Sequence, residues 1–422
     1  MIDLGGCCDV MFDGSIHSKT VARQFRPFDF VDEPLLLDEA YKQQVIEDAV
    51  QIGLTGFGGL QVKKSDLKGK PIYQLDGYPA LLVARHIAAN VRRITGVKQD
   101  NRQFIIECLR SLLEEGISFR AYRLDIKNFY ESVDVEQVLE SLRSNEGFSG
   151  QSALSLRSFF TELTGLGIPG LPRGLGLSAT LAEYFLRDFD ETVANTNEVW
   201  FFARFVDDIF IITSGREDQA QFEGSLKNAL PEGLSFNPKK HVVMDFERFN
   251  KSQDGVEHEF SYLGYQFEVS RVLRGKGNFS LSRNVRIDIA PSKVRKIKTR
   301  IMRTLIAFQS DGNYGLLKSR IRLLTSNFNF VDRQSGIRRV SGIYFNYPMT
   351  DFEQSSSLRA LDKFLRNSLM SPHAGNKWRP AITKAQRREL LNMTFSDGFR
   401  SRRFYNFGPS TLAKLVSCWR YA

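Results

Sequence analysis

The chain has little of what builds small metal or redox centres. Its 422 residues include four cysteines (Cys7, Cys8, Cys108, Cys418) with no C-x-x-C pair, and five scattered histidines (His17, His86, His241, His258, His373). Neither a disulfide framework nor a zinc site is written in such a pattern. No run approaches the ~18 consecutive apolar residues of a membrane span, and Met1-Ile2-Asp3-Leu4-Gly5-Gly6 lacks a basic segment followed by a long apolar one. The expectation is a soluble, cytoplasmic chain with no membrane partner. Internal repeats and low-complexity segments are absent from the sequence. The glycine-rich, strand-like stretch at 53–60 lacks the G-x-x-x-x-G-K-[ST] spacing of a phosphate loop and reads as a turn.

What is present is apolar material for a substantial core, at 42% hydrophobic residues, and an uneven distribution of charge. The net charge is +10, yet residues 291–422 hold 25 basic and 7 acidic residues, or +18, leaving −8 for the rest. A basic final third favours a polyanionic partner. Nucleic acid is preferred to membrane, because no Trp-rich amphipathic anchor accompanies the charge.

Periodicity predicts helices over 38–52, 80–95 and 100–115, the last closed by Gly116. From Tyr122 the pattern changes to short apolar runs separated by polar helices, the signature of a sheet with helices packed on it. Residues 122–126 read as a strand, 177–190 as helix, and 200–206 with 209–212 as a hairpin turning at Asp207-Asp208.

Adjacent acids between two aromatic-rich strands are an unusual turn, where Asn-Gly or Asp-Gly is ordinary. A solvent-exposed tip is one reading. The other is a divalent cation that neutralises the pair, and Mg²⁺ prefers such oxygen ligands. Asp125, at the end of another buried-type strand, makes the second reading concrete, since two acid-bearing strands can share a metal pair suited to phosphoryl transfer. Between the acidic sites, Gly170-Leu171-Pro172-Arg173-Gly174 forms a turn whose glycines admit close backbone approach.

In order along the chain, Leu124-Asp125-Ile126-Lys127-Asn128-Phe129-Tyr130, Gly170-Leu171-Pro172-Arg173-Gly174, Phe205-Val206-Asp207-Asp208, Asn237-Pro238-Lys239-Lys240 and Tyr262-Leu263-Gly264-Tyr265 resemble the palm motifs A to E of reverse transcriptases. The resemblance implies an α+β right-hand polymerase: fingers, an RRM-like antiparallel palm sheet with helices, and a helical thumb, followed by a small basic helical region. The expected divisions are 1–120 (N-terminal region and fingers), 121–270 (palm, with finger elements around 135–170), 271–345 (thumb) and 346–422 (basic, RNA-binding). It also implies that Asp125, Ile126, Asp207 and Asp208 hold two Mg²⁺ ions, with Mn²⁺ as a substitute. Ile126, Lys127, Asn128, Phe129 and Tyr130 would line the dNTP site, Tyr130 as a steric gate against a ribose 2′-hydroxyl. Arg173 and Gly174 would lie against the nascent base pair, Lys240 would protonate pyrophosphate, and Tyr262, Leu263, Gly264 and Tyr265 would grip the primer. Arg92 and Arg93, with Lys68 and Lys70, are basic candidates for triphosphate contact.

The chain departs from the common pattern in having Phe205-Val206 before the two acids and Arg173 where glutamine is common. Arg173 brings a cation to the place where template and dNTP meet, which keeps an untemplated or protein-primed polymerase open as an alternative. A catalytically silent RNA scaffold is a second alternative. Downstream, Lys293, Arg295, Lys296, Lys298, Arg300 and Arg303 share a helix whose Val294, Ile297 and Ile301 mark a buried face, leaving the basic face for phosphates. In the tail, Lys377, Arg379, Lys384, Arg387, Arg388, Arg400, Arg402 and Arg403 are interleaved with Trp378, Phe399, Phe404, Tyr405 and Phe407, a pattern suited to unstacked RNA. The sequence is most similar to bacterial antiviral, defence-associated reverse transcriptases, in particular the a-type subunit of the type 3 systems. That likeness implies phage defence, a structured non-coding RNA, a DNA product, and a second, larger reverse transcriptase in an oligomeric complex. No endonuclease or RNase H signature is present, and neither activity is expected.

Overall fold

The computed structural model describes residues 13–67, 69–145, 147–248, 255–271, 282–332, 338–370 and 382–419. Cys7, Cys8, Lys68, His373, Lys377, Trp378 and Arg379 lie outside the described residues.

The N-terminal third is helical. A helix at Glu39–Thr55 is capped by Asp38 and packs beside Tyr78–Thr95, which opens on Pro79 and ends at Gly96 in the left-handed conformation. The stretch expected to be strand-like finishes the first helix and turns at Gly58-Gly59; the strands come later, as the hairpin β1 (Val62–Leu67) and β2 (Lys70–Leu75). Its lysines and weak alternation conceal it from periodicity. The next helix, Arg102–Leu113, is capped by Asn101 and ends at Glu114, so Gly116 does not close it.

The central sheet is antiparallel, in the order β4–β5–β3–β6, from β3 (Phe119–Asp125), β4 (Val199–Phe205), β5 (Asp208–Thr213) and β6 (Val242–Phe246). β5 reads Ile209-Phe210-Ile211-Ile212 and is buried on both faces, which accounts for its unbroken apolar run. One face packs on the helices Gly150–Gly165 and Gly176–Phe185; the other packs on Arg102–Leu113 and on a three-stranded sheet, β7 (Gly255–Tyr262), β8 (Tyr265–Arg271) and β9 (Asn284–Ile289). The helical segment expected over 177–190 is two helices, broken at Leu186.

Beyond β9, Pro291–Asp311 and Tyr314–Thr325 pack together and against Ser356–Met370 in one core that also holds Leu390, Phe395 and Phe399. A small sheet completes this part: β10 (Asn327–Val331) pairs antiparallel with β11 (Arg338–Gly342) and parallel with β12 (Phe404–Tyr405). Packing is continuous across residue 345. Asn327 ties the pieces together, its backbone N–H donating to Arg403 O at 2.8 Å and its side chain to Gly398 O at 3.2 Å. The described residues form an α+β fold of helices packed on antiparallel sheets, with a basic helical C-terminal part.

Candidate active site

β3 ends on Asp125 and β5 begins on Asp208, the two facing each other across the ladder. Phe205 pairs with Asp208, so the β4–β5 turn is Val206-Asp207, one residue earlier than expected, and Asp208 is a strand residue. The short turn has a cost: Val206 has φ of 62°, and a β-branched side chain in the left-handed region stores roughly 1–3 kcal/mol. Two bonds hold it. Ile126 N–H donates to Asp207 O at 3.0 Å, fastening the turn to the end of β3, and Arg204 Nη1 donates to Val206 O at 3.1 Å.

Arg204 is itself clamped. Its side chain is 5% exposed, with Nε and Nη2 donating to Asp190 at 2.8 and 2.6 Å and Nη2 to Glu183 at 2.7 Å. Burial opposes its charge, but the two carboxylates outweigh burial and hold its pKa above the ordinary arginine value. Burial likewise pushes the carboxyls of Asp190 and Glu183 up, against the pull of Arg204. Sequence reading missed this triad. The available signal was an arginine inside the apolar run Phe201-Phe202-Ala203-Arg204-Phe205, a buried cation that requires partners.

Asp125 is 4% exposed and accepts from Asn237 Nδ2 at 3.0 Å and Lys240 Nζ at 2.5 Å. Asn237 N–H also donates to Asp125 O at 2.7 Å, so the turn Pro238–Lys240 is delivered to the acid by backbone and side chain together. Asn237 is a second residue to which no role was assigned from sequence. Burial, then the charge of Asp125, raises the pKa of Asp207; burial, then Asp207 and Asp125, raises that of Asp208. Burial opposes the charge on Lys240, and its bond to Asp125 prevails, holding the ammonium protonated.

Three carboxylates on two adjoining strand ends are a hard-oxygen donor set that fits a divalent ion. The Lys240 ammonium already stands as a cation against Asp125. Among the described residues no three His, Cys, Asp or Glu side chains converge as a preformed metal cage. Divalent ions would be held by Asp125, Asp207 and Asp208.

Around the acids, the remaining expected residues divide. Lys127 and Asn128 are exposed, and Asn128 starts the short turn of helix Phe129–Ser132 at φ 46°. Ile126 and Phe129 are 1% and 0% exposed, members of the main core, so their side chains cannot touch a nucleotide. Tyr130 is half-buried with Arg173 Cζ 4.9 Å from its ring centroid. Arg173 makes a two-pronged pair with Glu131, at 2.7 and 2.9 Å, so the cation expected to confront template and dNTP is neutralised beside Tyr130. The preceding loop lies tight on this ring's backbone: Leu171 N–H donates to Tyr130 O at 2.8 Å, and a Cβ on Gly170, at φ 59°, would fall 2.4 Å from that oxygen. Gly174 faces the β1–β2 hairpin, since a Cβ there would lie 2.7 Å from Tyr73 O in β2.

The expected primer grip is a two-residue turn, Leu263-Gly264, with φ of 43° and 85°. Tyr262 and Tyr265 are each 1% exposed core residues, because strand alternation points both rings inward; only the turn is accessible. Arg102 Nε donates to Leu263 O at 2.7 Å, and Lys293 lies against Gly264. Arg92 is exposed and donates to Thr180 at 2.8 Å, with Arg93 beside it at the surface. Of the cations on the Pro291–Asp311 helix, Lys293 and Arg295 are exposed, while Lys296, Lys298, Arg300 and Arg303 are half-buried. Lys298 lies 5.4 Å from the Phe364 ring, and Arg300 turns toward Trp419, away from the expected phosphate face. No helix among the described residues is long and apolar enough to cross a membrane.

No curated protein matches the chain. Among solved structures, apo telomerase from Candida tropicalis is similar at 11% identity and a TM-score of 0.38, covering 85% of this chain and 64% of that one. A second telomerase structure from the same organism, truncated from its C-terminal domain, gives 12% identity and a TM-score of 0.31, covering 55% and 47%. The chain thus spans less than two thirds of either. Residues 87–267 match the family model for reverse transcriptase (RNA-dependent DNA polymerase). That span, less than half of the chain, is where the similarity to the reverse transcriptase family lies, and it contains the three acids, the 170–174 loop and the Leu263-Gly264 turn.

Proposed function

We propose that the protein copies a bound, structured non-coding RNA into DNA by two-metal nucleotidyl transfer from dNTPs, and that it does so in bacterial antiphage defence. The observation that carries the chemistry is the placement of Asp125 opposite Asp208 with Asp207 in the adjoining turn. When bound, two Mg²⁺ ions activate the primer 3′-hydroxyl and neutralise the departing pyrophosphate. The 3′-oxygen forms a bond to the α-phosphorus, the bond from that phosphorus to the pyrophosphate oxygen breaks, and the hydroxyl proton is released. Lys240, bonded to Asp125 in this structure, is in this reading the proton donor to the leaving group. In this reading Tyr130 serves as the gate for deoxynucleotides.

Templated synthesis is favoured over the untemplated reading, because that reading rested on a free cation at position 173 and Glu131 neutralises it. Defence, the non-coding RNA and a larger partner reverse transcriptase rest on the sequence resemblance. The test is to purify the protein with its co-purifying nucleic acid, add labelled dNTPs and Mg²⁺, and sequence both RNA and product. DNA complementary to a discrete bound RNA, lost in Asp207→Ala plus Asp208→Ala together with phage protection, is the expected result. Synthesis retained in the double variant overturns the site, and products with no complement overturn the templated reading.

A further inference from the structure

Away from the acids, a cavity of about 960 Å³ opens between the Pro291–Asp311 helix, the β10–β11 hairpin and the Pro409–Val416 helix. Its wall includes Arg300, Phe328, Asn329, Tyr347, Phe407 and Trp419, and no aspartate or glutamate lines it. Arg300 is the telling residue. Its Nε is buried without a hydrogen-bond partner, and it forms no ion pair with a carboxylate among the described residues. Its guanidinium lies instead 5.5 Å from the Trp419 ring, which is itself fixed by Nε1–H donation to Thr304 at 2.9 Å. Burial lowers the pKa of Arg300, with only Tyr347 opposing the shift. A half-buried cation with no counter-charge is costly to keep, and an anion entering the cavity relieves that cost.

The rest of the wall narrows the class of anion. Phe328 and Phe407 meet edge to face at 6.4 Å, and with Tyr347 and Trp419 they offer flat apolar surface, while the Asn329 amide is engaged by Asn406. Rings for stacking and a guanidinium for a phosphate are together the chemistry of an unstacked nucleotide. The volume lies at the upper end for small-ligand sites and has room for base, sugar and phosphate. The surrounding third of the chain carries +18. The cavity also borders the motif at the primer: Tyr347 packs edge to face on Tyr265 at 6.0 Å, and Arg102 joins Leu263 O to Asn346 O.

We propose that this cavity receives one unpaired nucleotide of a single-stranded nucleic acid passing behind the Leu263-Gly264 turn, its phosphate on Arg300 and its base stacked among Phe328, Phe407 and Trp419. The proposal rests on the nucleic-acid polymerase reading but not on catalysis. The experiment is therefore run in EDTA without nucleotide, so a chain inactive as a polymerase still answers.

Fluorescent single-stranded rA and dA oligonucleotides and a blunt RNA–DNA duplex of equal length are titrated into wild type, Arg300→Gln and Phe407→Ala. Thermal melts first establish that each variant is folded. Each variant should lose about ten-fold in single-strand affinity, as loss of one charge-assisted contact or one stacked base predicts. Duplex affinity should change by less than about two-fold, and Arg300→Gln should lower the single-strand salt slope by about 0.7. A 5-iodouridine oligonucleotide should cross-link to peptides containing Phe328, Phe407 or Trp419. The rA and dA arms assign the strand to template RNA or to DNA. Equal losses on single strand and duplex, unchanged single-strand affinity in both folded variants, or cross-links confined to the exposed face of the 291–311 helix would each overturn the assignment.

Discussion

Replacing Arg204 with methionine tests how the Val206-Asp207 turn is supported. The substitution removes five donor contacts, to Asp190, Glu183 and Val206 O, and leaves two carboxylates that are 26% and 14% exposed without their cation. Breaking a buried ion pair from one side costs about 3–5 kcal/mol, because a desolvated charge is left unpaired. With a urea m-value of about 3 kcal/mol/M the unfolding midpoint should fall by about 1–2 M. The loss depends on pH with a definite sign. Burial raises the carboxyl pKa values of Glu183 and Asp190 even with Arg204 present, and removing Arg204 raises them further. Carboxyls with folded pKa values above their unfolded ones contribute stability that is full below the unfolded value and is lost as pH rises through the folded value. The gap between wild type and variant should therefore be wide at pH 7.5 and narrow in acid. Circular dichroism during urea titration at the two pH values measures it. Adding Asp190→Asn and Glu183→Gln should restore most of the stability, since neutralising a whole buried triad is far cheaper than removing one member. Polymerase activity should remain low in that triple variant, because Val206 O has still lost its donor. A single variant within about 1 kcal/mol of wild type, or a triple variant no better than the single one, would refute this account.

Three further outcomes are expected. Asp207→Asn should stabilise the metal-free protein at neutral pH, because the raised pKa values of Asp207 and Asp208 mean that ionising both is unfavourable there; Mg²⁺ should raise the melting temperature of wild type more than that of the variant, and calorimetry with and without Mg²⁺ reads both. Tyr130→Ala should increase rNTP use relative to dNTP in a primer-extension assay, and an unchanged ratio removes the gate role. Gly170→Ala should cost about 1–3 kcal/mol in a denaturant titration, from the left-handed φ and a Cβ placed 2.4 Å from Tyr130 O, whereas Gly176→Ala, where a Cβ meets nothing, should be close to neutral.

Much of the site was legible because its residues end strongly apolar strands: β3 stops on Asp125, and β4 and β5 flank the acid pair. Periodicity could not fix the turn to a single residue, so Asp208 was read as loop when its backbone continues the ladder opposite Asp125. Roles carried by long-range partners were invisible. Glu131 cancels Arg173, and Asn237 and Lys240 reach Asp125 across more than 110 positions of sequence. The tyrosines of the primer turn were assigned by motif, although two residues in a tight turn separate Tyr262 from Tyr265 and the apolar alternation of both strands places the rings in the core. Arg300 was counted with its basic neighbours because helical spacing alone does not reveal that Trp419, more than 100 residues later, closes over it.

The loop from Gly170 to Gly174 is pinned at both ends to elements that are distant in sequence. Leu171 N–H is bonded to Tyr130 O, and Arg173 O accepts from Tyr73 N–H of the β1–β2 hairpin at 2.8 Å. Bare glycines at 170 and 174 let backbone meet backbone on either side, so little side-chain slack separates hairpin from gate. A shift of β2 must carry the loop with it or break the Tyr73 bond. The position of the hairpin and that of Tyr130 are in this way mechanically joined, and under the proposed gate role substitutions in the exposed hairpin, far from any acid, become a means of tuning the sugar that is accepted.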